Sequence, residues 1–172
     1  MEGIEVVAQL MVMAAITAPK TKGENFIQTK ILQGEAVQQL AQAMRAFGLE
    51  TGKANFDRDG RNVAQSAAVV LIGLKDATTA GLDCGACGFS LCAELTGQPP
   101  VDVEFRGPSC AYRLLDMGIA LGSAVKVASL LNADNRIMYR IGAAARRSGV
   151  VDWDFVMGIP LSVTGKSIYF DR

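Results

Sequence analysis

The sequence predicts a layered domain of the α/β or α+β class, interrupted by a small metal-binding insertion. Three observations carry this expectation. Segments with apolar residues at helical spacing alternate with shorter strand-like runs, and the helices outnumber the strands. Ala67 to Leu74 (AAVVLIGL) is an unbroken apolar run, as a central strand covered on both faces requires. All four cysteines of the chain fall between positions 84 and 110, after that run and before a long apolar helix.

In chain order, Ile4 to Thr17 places Val7, Leu10, Met11 and Ala14 on one helical stripe, and Ala18-Pro19 ends it because the residue before proline is pushed out of helical geometry. Lys20 to Asn25 is a polar loop, and Phe26 to Leu32 reads as a strand. Glu35 to Phe47 reads as a helix closed by Gly48, followed by a polar connector over Thr51 to Asn62. The buried strand at 67–74 leads into the cysteine segment, about 82–110. A long helix is expected over Ala111 to Leu131 and a second from about Asn135 to Ser148, ending at Gly149. Trp153 to Leu161 and Lys166 to Phe170 read as the last two strands. Residues 1–172 form one domain, with 82–110 inserted in it.

Half of the 172 residues are hydrophobic and a fifth are charged, so the chain buries a core. Seventeen basic residues balance seventeen acidic ones, which removes any general attraction to nucleic acid or an anionic membrane. The N-terminus carries acids where a secretory signal needs bases. The longest greasy region is broken by Arg113, Asp116 and Lys126, leaving nine uncharged residues where a spanning helix needs roughly 20. A cytoplasmic location follows, and there four cysteines point to metal or redox chemistry rather than disulfides. Histidine is absent, so a metal site must use sulfur or oxygen, and no histidine-based triad, zinc finger or Rieske centre can form.

The cysteines are spaced Cys84-x2-Cys87-x4-Cys92, and seventeen residues separate Cys92 from Cys110. Three closely spaced thiolates suit one face of a cubane cluster, and a distant fourth closes it. Gly85 and Gly88 let the loop turn and bring amide N–H groups near sulfur, and Gly107-Pro108 sets a turn before Cys110. Two other readings stay open. A four-cysteine zinc site would use the same thiolates, although such sites favour two short-spaced pairs, and free cysteine also packs as a small hydrophobe.

Several resemblances add to this. Asp83-Cys84-Gly85-Ala86-Cys87-Gly88-Phe89-Ser90-Leu91-Cys92 resembles the CGxCGxxxC-type four-cysteine iron–sulfur domain of electron-transfer subunits and corrinoid iron–sulfur proteins. That resemblance implies that Cys84, Cys87, Cys92 and Cys110 ligate one [4Fe–4S] cluster. Ala14-Ala15-Ile16-Thr17-Ala18-Pro19, a basic loop and a strand from Phe26 are similar to the opening of flavin-dependent nitroreductases, as is Ile141 to Gly149 followed by a strand. This implies FMN, its phosphate near Lys20 and Lys22 or near Arg146 and Arg147. Ala18-Pro19-Lys20, the cysteine loop, Asp116 to Ser123 and Gly158-Ile159-Pro160-Leu161 resemble a bacterial and archaeal family of uncharacterised ferredoxin-domain proteins. The implied function is electron transfer or a small oxidoreductase. The alternative is a zinc- or cluster-stabilised interaction module without turnover.

Among the remaining features, Arg136, Arg140 and Arg147 fall on roughly one helical face, either a docking patch for an acidic redox partner or a solvated surface. Gly118-x3-Gly122 with Ser123 permits close helix approach, in the core or in a homodimer. Asp116 reads as a satisfied or exposed carboxylate rather than a functional acid, and Asp152 and Asp154 as marking an exposed strand entry. Gly165-Lys166-Ser167 is not a phosphate-binding loop, since Pro160 stands where its first glycine is required.

Overall fold

The computed structural model describes residues 2–170. The sheet is built on strands of seven and eight residues, and the central one, AVVLIGL, is an unbroken apolar run. β2 (Ala68–Leu74) is buried at every position and lies between β1 (Ile27–Gln33) and β6 (Phe155–Ser162). The sheet order is β1-β2-β6-β5, with β5 at Asp134–Asn135, and every pairing is antiparallel. The fully apolar strand therefore reports cover on both faces, not parallel neighbours.

Alternate residues of β2 feed two cores. Val69 and Leu71 pack with Leu40, Met44, Phe56 and Ile141, from α2 (Glu35–Thr51), α3 (Phe56–Ala64) and α6 (Tyr139–Arg147). Val70, Ile72 and Leu74 pack with Ile4, Ala8, Met11 and Ala15 of α1 (Glu2–Thr17), and with Met117, Ala120 and Ala124 of α5 (Ala111–Leu130). The result is a three-layer sandwich, helices on each side of the sheet. α6 lies close on β6 because glycines meet there. A Cβ on Gly142 would fall 1.8 Å from the Val156 carbonyl oxygen, and one on Gly158 would fall 2.0 Å from Ile141 Cγ2.

Four expectations are corrected. The stretch read as a connector contains α3, whose Phe56, Asp59, Gly60 and Val63 are buried at helical spacing. α2 runs through Gly48 to Thr51, and Gly48 serves as a packing notch, since a Cβ there would sit 2.6 Å from Phe56 Cβ. The helix expected from Asn135 starts only at Tyr139, because Asp134 and Asn135 pair with the edge of β6. Lys166 to Phe170 forms no strand: β5 already occupies the edge it would need, and Tyr169 instead buries its ring and hydrogen-bonds the Ser66 hydroxyl at 2.8 Å.

The cysteine segment leaves the end of β2 and returns at α5. It contains α4 (Cys92–Thr96) and a small hairpin of β3 (Val101–Asp102) and β4 (Arg106–Gly107). The body grips this hairpin by polar contacts. Arg146 donates to both carboxylate oxygens of Asp102 at 3.0 and 3.2 Å and to the Glu104 carbonyl at 2.7 Å, and Lys53 pairs with the Glu104 carboxylate at 2.8 Å. Phe105 stacks on Phe155 with ring centroids 4.3 Å apart.

Candidate metal centre

All four cysteines are free thiols and line one small enclosure, together with Ala80, Leu82, Asp83, Gly85, Phe89, Leu91 and Tyr112. The loop geometry follows from residues able to take left-handed backbone. Asp83, Gly85 and Gly88 have φ of 47°, 72° and 84°, and the Gly88 amide closes a turn onto the Gly85 carbonyl at 2.9 Å. Asp83 clasps the loop, since its carboxylate accepts from the Cys92 amide at 2.7 Å. Cys84 is exposed, Cys87 and Cys92 are half-buried, and Cys110 is buried.

Cys110 is the N-cap residue of the 20-residue α5. Burial pushes its thiol up, but amide N–H groups of Ala80, Arg113 and Tyr112 and the Arg113 charge outweigh burial and hold it below the ordinary cysteine value. A lowered thiol value favours the thiolate, the form of cysteine that binds metal. Among the described residues, no group of three Cys, Asp or Glu is arranged to hold a single ion.

Beside this enclosure, and sharing Cys110 with it, lies an open cavity of about 520 Å³. Its lining includes Arg106, Asp76, Asp154, Thr78 and Ser109, over an apolar floor with Leu74 and Leu95.

A family model described as "Uncharacterized protein containing a ferredoxin domain (DUF2148)" matches residues 106–172. An Archaeoglobus fulgidus protein, described only as "Uncharacterized protein", is 48% identical over 171 residues, covering 99% of this chain and 92% of the relative. The chain belongs to the ferredoxin-domain family. Its fold is that of nitroreductases. A Desulfovibrio desulfuricans putative nitroreductase in complex with FMN aligns with a TM-score of 0.61 at 13% identity, covering 98% of this chain and 78% of the other. The Mycobacterium smegmatis FMN-dependent nitroreductase NfnB, in complex with NADPH, aligns at 0.59 and 12% identity, covering 98% and 82%.

The two alternative flavin-phosphate sites lie apart in the fold. Lys20 and Lys22 follow α1 on one face of the sheet, whereas Arg146 and Arg147 end α6 on the other. Lys20 is engaged at the helix end, donating to the carbonyls of Ala15, Ile16 and Ala18 at 3.0, 2.6 and 2.6 Å. Burial lowers its ammonium below the usual lysine range, partly opposed by the Asp116 charge. Arg146 is taken up by the insertion hairpin, and Arg147 pairs with Glu50 at 2.7 Å. Lys22 alone among them lies near the cysteine loop, its ammonium 3.6 Å from where a Cβ on Gly81 would stand. The cavity beside Cys110 is lined by two carboxylates against one guanidinium, the wrong balance for a phosphate dianion. Three of the four side chains, Lys20, Arg146 and Arg147, are thus engaged within the protein.

The structure also shows what spacing alone missed. Arg113, one turn after Cys110, is 1% exposed and joins three segments. Its guanidinium donates to the Thr78 carbonyl at 3.0 Å, the Thr21 carbonyl at 3.1 Å, Asp116 at 3.4 Å and the Glu24 carboxylate, and it lies 4.7 Å from the centre of the Phe26 ring. Asp116 is buried and satisfied, accepting from the Thr21 amide and hydroxyl, both at 2.8 Å. An arginine three residues before an aspartate inside an apolar helix was the available signal. Asp154 is likewise structural, accepting from the Asp76 amide at 2.7 Å.

Proposed function

We propose that the ferredoxin-domain protein is an electron carrier or small oxidoreductase in which Cys84, Cys87, Cys92 and Cys110 hold one [4Fe–4S] cluster. The observation that carries this reading is the convergence of four free thiols on one enclosure, from a loop with two left-handed glycines and from a helix N-terminus. A tetrahedral zinc, with Zn–S of about 2.3 Å, would draw four sulfurs to a point. A polynuclear cluster would take the same four thiolates with its ligands held further apart, and the metal content of the protein separates the two. Such a cluster supplies a one-electron couple whose potential depends on hydrogen bonds and exposure at its sulfurs.

The chain's own residues set those terms. Amides of Ala80, Tyr112 and Arg113 face Cys110, and Asp83 fixes the loop that carries Cys92. The exposed position of Cys84 gives an edge for electron entry and exit, while the cavity shared with Cys110 offers a small molecule a place beside the ligands. A reducing compartment such as the cytoplasm suits thiolate ligands. Among the described residues, no helix is long and apolar enough to cross a membrane. Gly118 and Gly122 have open space around them, and Leu115 and Ile119 are exposed beside them, so we assign this side of α5 to a homodimer contact rather than to the core.

The test is anaerobic purification with iron, sulfide and zinc assays and a visible spectrum. Protein carrying about four irons, with an absorption band bleached by dithionite, is the expected result. Cys87→Ser should lose the iron while remaining folded. A colourless protein with one zinc, or unchanged iron in Cys87→Ser, would overturn the assignment.

A further inference from the structure

The charges of this neutral chain are unevenly placed. From residue 76 to residue 105 there is no lysine or arginine, but there are five acids: Asp76, Asp83, Glu94, Asp102 and Glu104. The body neutralises two of them, through Arg146 on Asp102 and Lys53 on Glu104. Asp83 and Glu94, which flank the cysteine loop, have no ion pair among the described residues, and the one lysine placed near that loop is Lys22, its ammonium 3.6 Å from where a Cβ on Gly81 would stand. Their carboxylates accept only amide hydrogen bonds, from Cys92 and Leu91.

Apolar side chains also stand open, at the cysteine enclosure and on the hairpin. Leu82 and Leu91 line the cysteine enclosure yet are 43% and 50% exposed, and Val103 at the hairpin is 78% exposed. The arginines that sequence alone offered as a docking patch are otherwise engaged. Arg140 pairs with Asp59 at 2.9 Å, Arg147 with Glu50, and Arg136 donates to the Tyr169 carbonyl at 3.0 Å.

We propose that the leucine-rimmed face around Cys84 docks a protein electron carrier whose contact surface is apolar and ringed with lysine and arginine. Apolar contact supplies adhesion, and the unneutralised acids supply steering and orientation. In each encounter one electron passes between the cysteine-held cluster and the carrier. With ferric cytochrome c as acceptor, the reduced cluster loses one electron and the haem iron becomes ferrous, and no bond is made or broken.

The proposal rests on the cluster reading above, so iron and sulfide are assayed on the same sample. The probe is zinc-substituted cytochrome c, a basic, redox-inert protein, titrated calorimetrically into the cluster-loaded chain. Affinity should fall about tenfold between about 10 and about 150 mM salt. Glu94→Lys should weaken binding at least about threefold at low salt. Val103→Lys, which disturbs no loop hydrogen bond, should act in the same direction and guards against misfolding of the first variant. Oxidation of the reduced protein by ferric cytochrome c should slow in parallel. Salt-independent binding, or variants that bind as wild type, in a cluster-loaded protein would overturn the docking surface and leave the cluster standing. Self-association abolished by Glu94→Lys would give this face to a second copy and overturn the proposal. Anaerobic protein without iron or sulfide would overturn both readings.

Discussion

The body of the molecule and its cysteine insertion are held together by different physics. The body buries Leu40, Met44, Phe56, Leu71, Ile141 and Ile159 completely, around a sheet with two seven-residue pairings. The insertion has strands of two residues and a minor knot of Ala80, Leu95 and Cys110, with Phe89 and Tyr112 against it. Ordering each residue costs about 1–2 kcal/mol of backbone entropy, and so little apolar burial does not offset that. Its order rests on polar anchors to the body and, on the proposed reading, on a cluster held by the cysteines. The body is specified by packing, whereas the hairpin of the insertion is held by polar anchors.

The largest expected effect breaks the body alone. Phe56→Ala removes a fully buried ring that lies 4.9 Å from Phe47 and beneath Arg140, and should cost about 3–5 kcal/mol in denaturant unfolding. Iron content per folded molecule should be unchanged. The mirror-image variant is Cys87→Ser, in which amide exchange should accelerate across the insertion while β2 and β6 stay protected. Loss of protection in β2 would show that the two regions fold as one unit.

A finer test lies where the regions meet. Arg113 is a buried cation one turn from Cys110, and the Glu24 carboxylate offsets it. A positive charge near a cluster favours the reduced, more negative state. Arg113→Met should therefore lower the reduction potential and Glu24→Gln should raise it, each by on the order of tens of millivolts, as a unit charge in an environment of effective dielectric about 20 implies. Redox titration monitored by electron paramagnetic resonance reads both. Shifts of the same sign in the two variants would mean that Arg113 acts only by shaping the loop.

The same contrast governs what the sequence made legible. Apolar periodicity revealed α1, α2 and α5, and the run at 67–74 revealed β2, because the body is built by burial. α3 escaped because Asp57, Arg58, Asp59 and Arg61 mask an inner face of Phe56, Gly60 and Val63, and Asp59 is buried only through Arg58 and Arg140. The cysteines were legible from spacing, as were the turns at Gly85 and Gly88. The Arg113 hub was not, because its partners Thr21, Glu24 and Thr78 lie in segments that only the tertiary fold unites.

The smallest effect concerns the anchor of the hairpin. The hydrogen bond from Arg146 holds the Asp102 carboxyl below the usual carboxylate range, slightly opposed by desolvation and aided by the charges of Arg146 and Arg106. A folded value below the unfolded one means that the anchor is fully formed above the unfolded aspartate value of about 3.9, and fails as pH falls through the folded one. Amide exchange at 101–107, corrected for its intrinsic pH dependence, should therefore be flat from about pH 7 to about pH 5 and rise only in stronger acid. Asp102→Asn should remove the acid-dependent rise and leave the exchange of β2 untouched. The pair is exposed and salt screens it, so the rise should shrink at about 1 M salt. An equal rise in Asp102→Asn would place the acid sensitivity of the hairpin at Glu104 and Lys53 instead.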